Sequence, residues 1–484
     1  MEEPTFLFPP PDSDLDLSFT STTTERTFTS SARTSLARTS SLALSFNDRL
    51  STASTAGDTV SSAVIRRPHR SSDSNWTAIK AATNLSSDGR LHLRHLKLIR
   101  HLGSGDLGRV FLCRLRDYDG ANFALKVVDK DLLTPKKFSH AETEAEILHA
   151  LDHPFLPTLY ARIDVSHYTC LLIDYCPGGD LHALLRKQPG NRLTISAARF
   201  FAAEILVALE YLHALGVVYR DLKPENVLLR EDGHVMLSDF DLCFKADVTP
   251  TFECCKVNKH YAGPTYGCFG CNGSRSRDSR EKVVADFVAE PTTAFSRSCV
   301  GTHEYLAPEL VSGNGHGNGV DWWAFGVFIY ELLYGMTPFK GCSKEGTLRN
   351  IASNNDVKFH VAENEEVGMV EARDLIEKLL VKDPKKRLGC VRGATDVKRH
   401  PFFDGIKWPL IRTYKPPEVK GLLRRKKSDL IVTSKKIRKG WWKRLGCALR
   451  NKGARFDLLS NYSNNNHYCY VNNSKVRSGT FNIG

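Results

Sequence analysis

One string of eight residues carries side chains suited to phosphoryl transfer. It reads Tyr219-Arg220-Asp221-Leu222-Lys223-Pro224-Glu225-Asn226, and an apolar run follows it. Asp221 is placed to accept the proton of an attacking hydroxyl, and Lys223 to neutralise the transferring phosphoryl group. Asn226 and the downstream Asp239 offer the hard oxygen atoms that Mg²⁺ requires. The string therefore predicts a catalytic loop with Asp221 as base and Asn226 and Asp239 as metal ligands.

A glycine-rich loop lies upstream of this string. It reads Gly103-Ser104-Gly105-Asp106-Leu107-Gly108-Arg109-Val110. Glycines let the backbone approach phosphates, and the exposed N–H groups donate to phosphate oxygens. A dinucleotide-binding loop uses similar glycines but opens a helix, whereas Val110-Phe111-Leu112-Cys113 is compatible with a strand. The pattern favours a strand–loop–strand flap over the phosphates of a nucleotide.

Lys126 follows the glycine loop on an alternating, β-rich stretch. A lysine in such a strand is usually a solvated edge residue, but the spacing favours a cation for the α- and β-phosphates, held by a helix carboxylate. Residues 136–150 are predicted to form that helix, and Glu144 and Glu146 are both candidates for the carboxylate. The apolar pair that follows, Ile147-Leu148, favours Glu144.

The segment after the predicted metal ligands contains candidate regulatory residues. Ser298 and Thr302 precede an Ala-Pro-Glu motif. A phosphate on Ser298 would pair with Arg220, and so couple charge on this segment to the catalytic loop. We expect Glu309 of the motif to pair with Arg387 in a structural role.

Length and composition predict a two-lobed module with flexible ends. The chain has 484 residues, a formal charge of +13 and 41% hydrophobic residues. This length is too great for one compact unit. Residues 1–91 are rich in Ser and Thr and are predicted to be mostly disordered. Residues 246–294 look like a long inserted loop. Residues 404–484 form an extension with a polybasic segment at 420–455.

Two helices are predicted in the second half of the dense apolar region. Residues 196–215 form an apolar stripe, and Gly216 stands where a C-terminal capping residue belongs. Residues 320–334 are apolar on nearly every side, although Asp321 and Glu331 interrupt them. Such a pattern predicts a fully buried helix.

From 96 to 403 the motifs recur in the order and at the spacing of eukaryotic protein kinases, and the chain resembles their AGC group. The sequence Asp239-Phe240-Asp241 in place of Asp-Phe-Gly, with the long insert, is similar to the plant AGC VIII kinases. The Ser45-Phe-Asn-Asp-Arg-Leu string and Trp441-Trp442 resemble the WAG kinases of the PINOID clade. We expect Asp241 to restrict flipping of its segment without abolishing catalysis.

The resemblance implies an α+β, bilobal protein kinase fold, with a small antiparallel β lobe carrying one helix (96–173) and a larger helical lobe (177–403). It implies a serine/threonine kinase that uses ATP and Mg²⁺ to phosphorylate PIN-type auxin efflux carriers, and so regulates polar auxin transport and auxin signalling. It assigns nucleotide contacts as follows: Leu102 and Val110 to adenine, the backbone of Asp174 and Cys176 to the hinge, and Asp180 to ribose. Asp180 and Glu225 together predict a preference for Arg or Lys N-terminal to the target Ser/Thr.

The basic tail admits three interpretations: solvated linker, nuclear-localisation signal or membrane-surface binder. Trp441 and Trp442 beside Lys and Arg favour an anionic membrane surface. The N-terminus lacks the features of a secretory signal. We therefore expect a cytoplasmic protein, peripheral at the plasma membrane, with the nucleus as alternative. We expect a monomer with no nucleic-acid partner.

Two further hypotheses remain open. Cysteines of the insert, with His260 between Cys254-Cys255 and Cys268, make a zinc site conceivable, although loop cysteines are commonly free. A pseudokinase or membrane-bound scaffold is the rival function. It would be supported by degraded catalytic positions, and none of Lys126, Asp221, Asn226 or Asp239 is degraded.

Overall fold

A computed structural model describes residues 73–84, 86–116, 118–256, 283–353, 355–359 and 366–422. The chain divides into two units, one ending at Asp174 and the other beginning at Tyr175. Three stretches lie outside the described residues: residues 1–72, the cysteine-rich middle of the insert and most of the polybasic tail. The disorder predicted for residues 1–72 therefore stays a prediction. Among the described residues, no helix is both long enough and apolar enough to cross a bilayer.

The first unit is built on a five-stranded antiparallel sheet in the order β1-β2-β3-β5-β4. Its strands are β1 (Leu96–Ser104), β2 (Gly108–Leu115), β3 (Tyr118–Asp129), β4 (Leu159–Asp164) and β5 (Tyr168–Asp174). One face buries an apolar cluster that includes Cys113, Phe123 and Leu172. The sheet is the antiparallel small lobe that the sequence predicted.

Two helices accompany this sheet, α1 (Ser74–Asn84) and α2 (Pro135–Ala150). Helix α2 begins with proline at its first position, and the hydroxyl of Thr134 accepts a hydrogen bond from the Lys137 N–H at 3.4 Å. These are ordinary helix-start signals. The buried face of α2 contains Glu144, a carboxylate among apolar neighbours.

Helix α1 lies in a stretch predicted to be mostly disordered, so that prediction is wrong for residues 74–84. Within residues 96–173 the structure has the single α-helix that was expected, α2. Ala78 and Ile79 are buried in the apolar cluster of the first unit, and Trp76 packs against Tyr160 with ring centroids 5.7 Å apart. Burial of this apolar face offsets the entropy of ordering the helix. The prediction of disorder relied on the Ser-rich composition of the whole stretch and overlooked the apolar residues Trp76 and Ile79, which form one face of a short helix.

The second unit is largely helical. Its helices are α3 (Leu181–Leu185), α4 (Ile195–Ala214), α5 (Pro308–Val311), α6 (Gly319–Tyr334), α7 (Lys344–Ala352), α8 (Met369–Leu379) and α9 (Ala394–Lys398). Short 3₁₀ turns occur at Pro224–Asn226, His303–Tyr305, Pro401–Phe403 and Trp408–Thr413. Four short strands form two antiparallel pairs: β6 (Val217–Val218) with β9 (Phe244–Lys245), and β7 (Val227–Leu229) with β8 (Val235–Leu237).

The two strongly predicted helices, α4 and α6, lie within one residue of their expected bounds. Gly216 ends α4 at φ +76°, and a Cβ there would lie 2.0 Å from the carbonyl oxygen of Ala246. No side chain fits this turn. Helix α6 is buried along nearly its whole length, including Asp321, which is 0% exposed. A fully buried carboxylate requires hydrogen-bond donors, and the catalytic loop supplies them.

The insert is more regular than predicted. Strands β10 (Thr251–Lys256) and β11 (Val283–Val288) pair antiparallel from Thr251↔Val288 to Lys256↔Val283. The expectation of a loop over 246–294 is therefore wrong at these two segments, where β-branched and aromatic residues favour strands. Phe252 and Phe287 face each other across the pair with ring centroids 5.4 Å apart. Pairing of two segments so distant in sequence is invisible to local pattern analysis.

Candidate active site

In the first unit, Lys126 lies on β3 and Glu144 on α2. The Lys126 Nζ atom lies 2.6 Å from each carboxylate oxygen of Glu144. Both side chains are largely shielded, at 12% and 4% exposed, so each charge needs the other. Of the two carboxylates that the sequence left open, Glu144 is the one placed against Lys126.

The glycine loop connects β1 to β2, as predicted. The Gly105 N–H donates to the Gly108 carbonyl at 2.9 Å, which closes the loop. A Cβ on Gly108 would lie 2.2 Å from the carbonyl oxygen of Val127 on β3, so packing requires a glycine there. At Gly103 and Gly105 an added Cβ would meet no atom within 4 Å. Their backbone is thus open to a close approach by an anionic ligand.

Two of the predicted nucleotide-binding residues use their side chains elsewhere. Leu107, at the tip of the loop, is 4% exposed and packs against Val128 and Ala141. Its side chain anchors the loop to the sheet and α2, so only its backbone is available to a ligand. The Asp174 carboxylate accepts hydrogen bonds from the Thr158 N–H at 2.8 Å and the Tyr160 hydroxyl at 2.9 Å. This leaves the backbone of Asp174 for the hinge role.

In the second unit the predicted catalytic residues converge on Asp221. Lys223 Nζ lies 2.7 Å from Asp221 Oδ2, and the Asn226 amide nitrogen donates to the same oxygen at 2.8 Å. The Thr302 hydroxyl donates to Asp221 Oδ1 at 3.1 Å and accepts from Lys223 Nζ at 2.8 Å. Asp221 is thus held by donors on both oxygens, in an orientation that a base needs before the substrate arrives.

Asp321 of α6 holds the backbone of this loop through two hydrogen bonds. Asp321 Oδ2 accepts from the Tyr219 N–H and Oδ1 from the Arg220 N–H, both at 2.7 Å. Arg220 has φ +67°, a backbone conformation that is rare for a residue with a side chain. This function of Asp321 was not predicted from the sequence. A signal was present, since Asp321 is one of only two carboxylates in an otherwise apolar helix.

Arg220 lies beside Ser298, the residue predicted to carry a phosphate. The Arg220 Nη1 atom donates to the Ser298 hydroxyl at 2.7 Å, and its Nε donates to the Leu242 carbonyl at 2.6 Å. Burial lowers the pKa of Arg220, so an anion here would be stabilised by a poorly solvated cation. The structure brings Ser298 and Arg220 together as the sequence suggested.

The two predicted metal ligands lie on neighbouring segments of the second unit. The Asn226 amide nitrogen donates to Asp221, so the amide oxygen is the atom of this side chain that could ligate a cation. Asp239 has φ +60°, whereas Asp241 is not in the left-handed region. The strained position of this motif is therefore its first residue, and an aspartate at Asp241 meets no demand for a glycine backbone. An amide oxygen and a carboxylate suit Mg²⁺.

Two other residues predicted to contact the nucleotide, Asp180 and Cys176, lie in the second unit. The Asp180 carboxylate caps α3 by accepting from the Ala183 N–H at 2.7 Å, so it is held rigidly. Cys176 is half-buried, with its sulfur 3.6 Å from that of Met236.

Known proteins resemble this chain along nearly its full length. A family model described as the protein kinase domain matches residues 96–266 and 283–403. Over 469 residues the chain is 67% identical to the serine/threonine-protein kinase WAG1 of Arabidopsis thaliana, covering 95% of this chain and 98% of WAG1. The chain belongs to the plant AGC VIII serine/threonine protein kinases of the PINOID/WAG type.

Two other relatives agree with this assignment. The kinase is 65% identical over 491 residues to the serine/threonine-protein kinase WAG2 of Arabidopsis thaliana, covering 98% of each chain. It is 45% identical over 427 residues to protein kinase PINOID 2 of Oryza sativa subsp. japonica, covering 76% of this kinase and 86% of that protein. The family predicted from the motifs is confirmed.

The second unit of the kinase also contains the predicted structural ion pair. Arg387 Nη1 and Nη2 donate to Glu309 Oε1 and Oε2 at 2.6 and 2.8 Å, a bidentate arrangement. The Arg387 side chain is 0% exposed and also donates to the carbonyls of Val381 and Gly319. This pair ties the end of the regulatory segment to the helical core.

Proposed function

We propose that this kinase transfers the γ-phosphate of ATP to protein serine and threonine hydroxyls with Asp221 as the base. The observation that carries the proposal is the arrangement of Lys223, Thr302 and Asn226 around the two Asp221 oxygens. Lys223 supplies positive charge beside the base, where the phosphoryl group would pass. Asp221 takes the hydroxyl proton of the incoming substrate.

Each unit has residues of its own that suit one of the ligands of this reaction. In the first, Lys126 would bind the α- and β-phosphates while Glu144 orients its ammonium group. In the second, Asn226 and Asp239 would hold Mg²⁺, which when bound neutralises charge developing on the phosphates. The donor types fit both ligands.

Label transfer from [γ-³²P]ATP to a basic serine peptide tests this function. We expect Asp221→Ala to lower the transfer rate about 10²- to 10⁴-fold, the usual contribution of general-base catalysis. The matched control is Asp232→Ala, a surface aspartate paired with Arg412, which we expect to leave the rate unchanged. Nucleotide binding by the natural chain without transfer to any hydroxyl would instead support the pseudokinase scaffold.

We infer that preferred substrates carry Arg or Lys near the target residue. Glu225 is exposed, and together with Glu304 it contributes negative charge beside Glu331; burial first, then these neighbours, raise the pKa of Glu331. Such a concentration of carboxylates next to the catalytic loop favours a cationic peptide. Glu225→Gln should reduce the rate ratio between a peptide with Arg before the serine and its Arg→Ala counterpart. An unchanged ratio would contradict this specificity.

We infer from the family resemblance that the physiological substrates are PIN-type auxin efflux carriers, and that the kinase regulates polar auxin transport. Support comes from the similarity to the WAG and PINOID kinases. The test is phosphorylation of the cytosolic segment of such a carrier, with its serines replaced by alanine as the control. Equal labelling of the two segments would count against it.

We propose that the kinase binds anionic membranes from the cytosolic side through its basic tail. The support is compositional, since clusters of Lys and Arg lie beside Trp441 and Trp442 and each such charge contributes about 1 kcal/mol at an anionic leaflet. Co-sedimentation with phosphatidylserine vesicles should be lost when residues 435–450 are deleted, and should be weak with neutral phosphatidylcholine vesicles. Retention after the deletion would exclude this tail as the anchor.

A further inference from the structure

A chain of three buried charged side chains links the insert to the catalytic loop. Glu290 follows β11, His213 lies near the end of α4, and Asp321 lies near the start of α6. Glu290 Oε2 is 2.8 Å from His213 Nδ1, and His213 Nε2 is 2.9 Å from Asp321 Oδ2. The three side chains are 4%, 0% and 0% exposed, respectively. Charged groups so far from water must satisfy one another.

Both nitrogens of the His213 ring face carboxylate oxygens. A neutral imidazole can donate through only one of them, so the imidazolium is the form of the ring that donates to both carboxylates. Burial opposes this charge, but Glu290 and Asp321 outweigh it and raise the pKa of His213 to about 10.

Further donors surround the two carboxylates. The Asn318 amide donates to Glu290 Oε2 at 2.9 Å. The other carboxylate, Asp321, accepts the Tyr219 and Arg220 N–H groups. The residue that follows Arg220 is the proposed base, Asp221. The charge chain thus ends one residue from the reacting centre, at the positive-φ residue whose conformation must be imposed by its surroundings.

The position of Glu290 is itself built by the fold. A Cβ on Gly393, at φ +58°, would lie 1.7 Å from Glu290 Oε1, so the absence of a side chain at Gly393 makes room for the carboxylate. Strand β11 is held next to this point because Asp286 pairs with Arg392 at 2.5 Å and with Arg399. The returning strand of the insert therefore delivers Glu290 into a site shaped to accept it.

We propose that Glu290 is a positioning residue for phosphoryl transfer, acting through His213 and Asp321 on the backbone of the catalytic loop. The returning end of the insert is then part of the support of the active site. This proposal rests on the proposed role of Asp221, and deepens it.

The first test is the steady-state kinetics of Glu290→Gln. The amide keeps the shape and can still accept from His213 Nδ1, but the negative charge is lost. We expect kcat to fall about tenfold at pH 8, since small displacements of a catalytic group have large effects on rate, while KM for ATP changes less than twofold. A purely structural role would lower Tm without this separation of kcat from KM.

The pH profile of the same variant gives a second readout. Without Glu290, the pKa of His213 falls, so between pH 6 and pH 8.5 the variant loses more of its imidazolium than the natural chain does. The ratio of variant kcat to natural kcat should therefore fall over this interval. Among the described residues, the titratable groups that interact with these three side chains include Cys390 beside Glu290, and Arg220 and His316 beside Asp321.

A matched control exists in the same unit. Glu204 is another fully buried glutamate paired with a histidine, His234, and it also accepts the Val235 N–H at 2.9 Å. Glu204→Gln should lower Tm but leave kcat and its pH profile unchanged. If both variants change kcat alike, or if Glu290→Gln keeps natural kcat and pH dependence, the proposal is overturned.

A measurement on the natural full chain needs no variant to fold. Nitrogen-15 NMR of labelled histidine should show both His213 nitrogens protonated at pH 7.5, and a neutral ring there would refute the proposal. Asp221→Ala separates the two levels of inference. If Asp221→Ala retains phosphoryl transfer, the proposed base is wrong. If Asp221→Ala is inactive but Glu290→Gln keeps the kcat and pH profile of the natural chain, only the positioning role is refuted.

Discussion

Lys126 Nζ lies 2.6 Å from both carboxylate oxygens of Glu144. The contact joins β3, in the middle of the sheet of the first unit, to the buried face of α2. Among the described helices of that unit, α2 is the one that buries a carboxylate. Since both groups are shielded from water, the pair fixes the ammonium group in one direction. The position of α2 on the sheet thereby determines where that positive charge is presented.

Replacing Glu144 by glutamine should weaken this orientation. We expect kcat/KM for ATP to fall about 10- to 100-fold, because a hydrogen bond to a charged group contributes about 1.5–3 kcal/mol. The measurement is steady-state phosphorylation of a basic serine peptide over a range of ATP concentrations. Glu142→Gln is the control on the same helix, since Glu142 pairs with Arg162 at the surface. Equal losses in both variants would show that Glu144 has no special role.

The hydroxyl of Thr302 is predicted to matter for the rate of transfer. It bridges Asp221 and Lys223, so Thr302→Val removes a donor to the base and an acceptor for the lysine while keeping the volume. We expect kcat to fall about tenfold, by the same hydrogen-bond energies. Thr302→Ser keeps the hydroxyl and should restore most of the activity. A serine variant as impaired as the valine variant would point to a role for the methyl group instead.

Motif residues were predictable from the sequence because they are local. The chemistry of Asp221, Lys223 and Asn226 lies within one short string. A helical stripe located α4, and a nearly continuous apolar run located α6. The apolar pair Ile147-Leu148 favoured Glu144 over Glu146, and in the structure Glu144 is buried whereas Glu146 is exposed. These predictions depend on neighbours within one or two helical turns.

The rest depended on contacts between distant segments. Asp321 and Glu290 have their functions only because α6 and the end of the insert meet around His213. Helix α1 exists because the sheet offers an apolar surface for Trp76 and Ile79, and β10 pairs with a strand beyond a long intervening stretch. No local pattern encodes such partners.

Removal of one partner of the buried ion pair between Arg387 and Glu309 should strongly destabilise the kinase. Arg387→Ala leaves a buried carboxylate without its cation, so we expect the free energy of unfolding to fall by about 3–5 kcal/mol. Arg412→Ala is the contrasting surface case, since its pairing with Asp232 is partly exposed, and should cost less than about 1 kcal/mol. Urea unfolding of the two variants measures the difference. Similar small losses in both would mean that the buried pair is compensated by water.

His316 should make the second unit sensitive to acid. Burial, followed by the Arg220 cation, lowers the pKa of His316 to about 4, below its ordinary value near 6.5 in the unfolded chain. Between these two values the unfolded chain binds more protons, so stability falls as pH drops from about 6.5 towards 4. His316→Gln removes the titrating group, and its Tm should fall less than that of the natural chain between pH 7.5 and pH 5. Thermal unfolding at the two pH values measures this, with His167→Gln, an exposed histidine paired with Asp131, as the control. Identical decreases in Tm for the natural chain and the His316 variant would show that other groups govern the acid sensitivity.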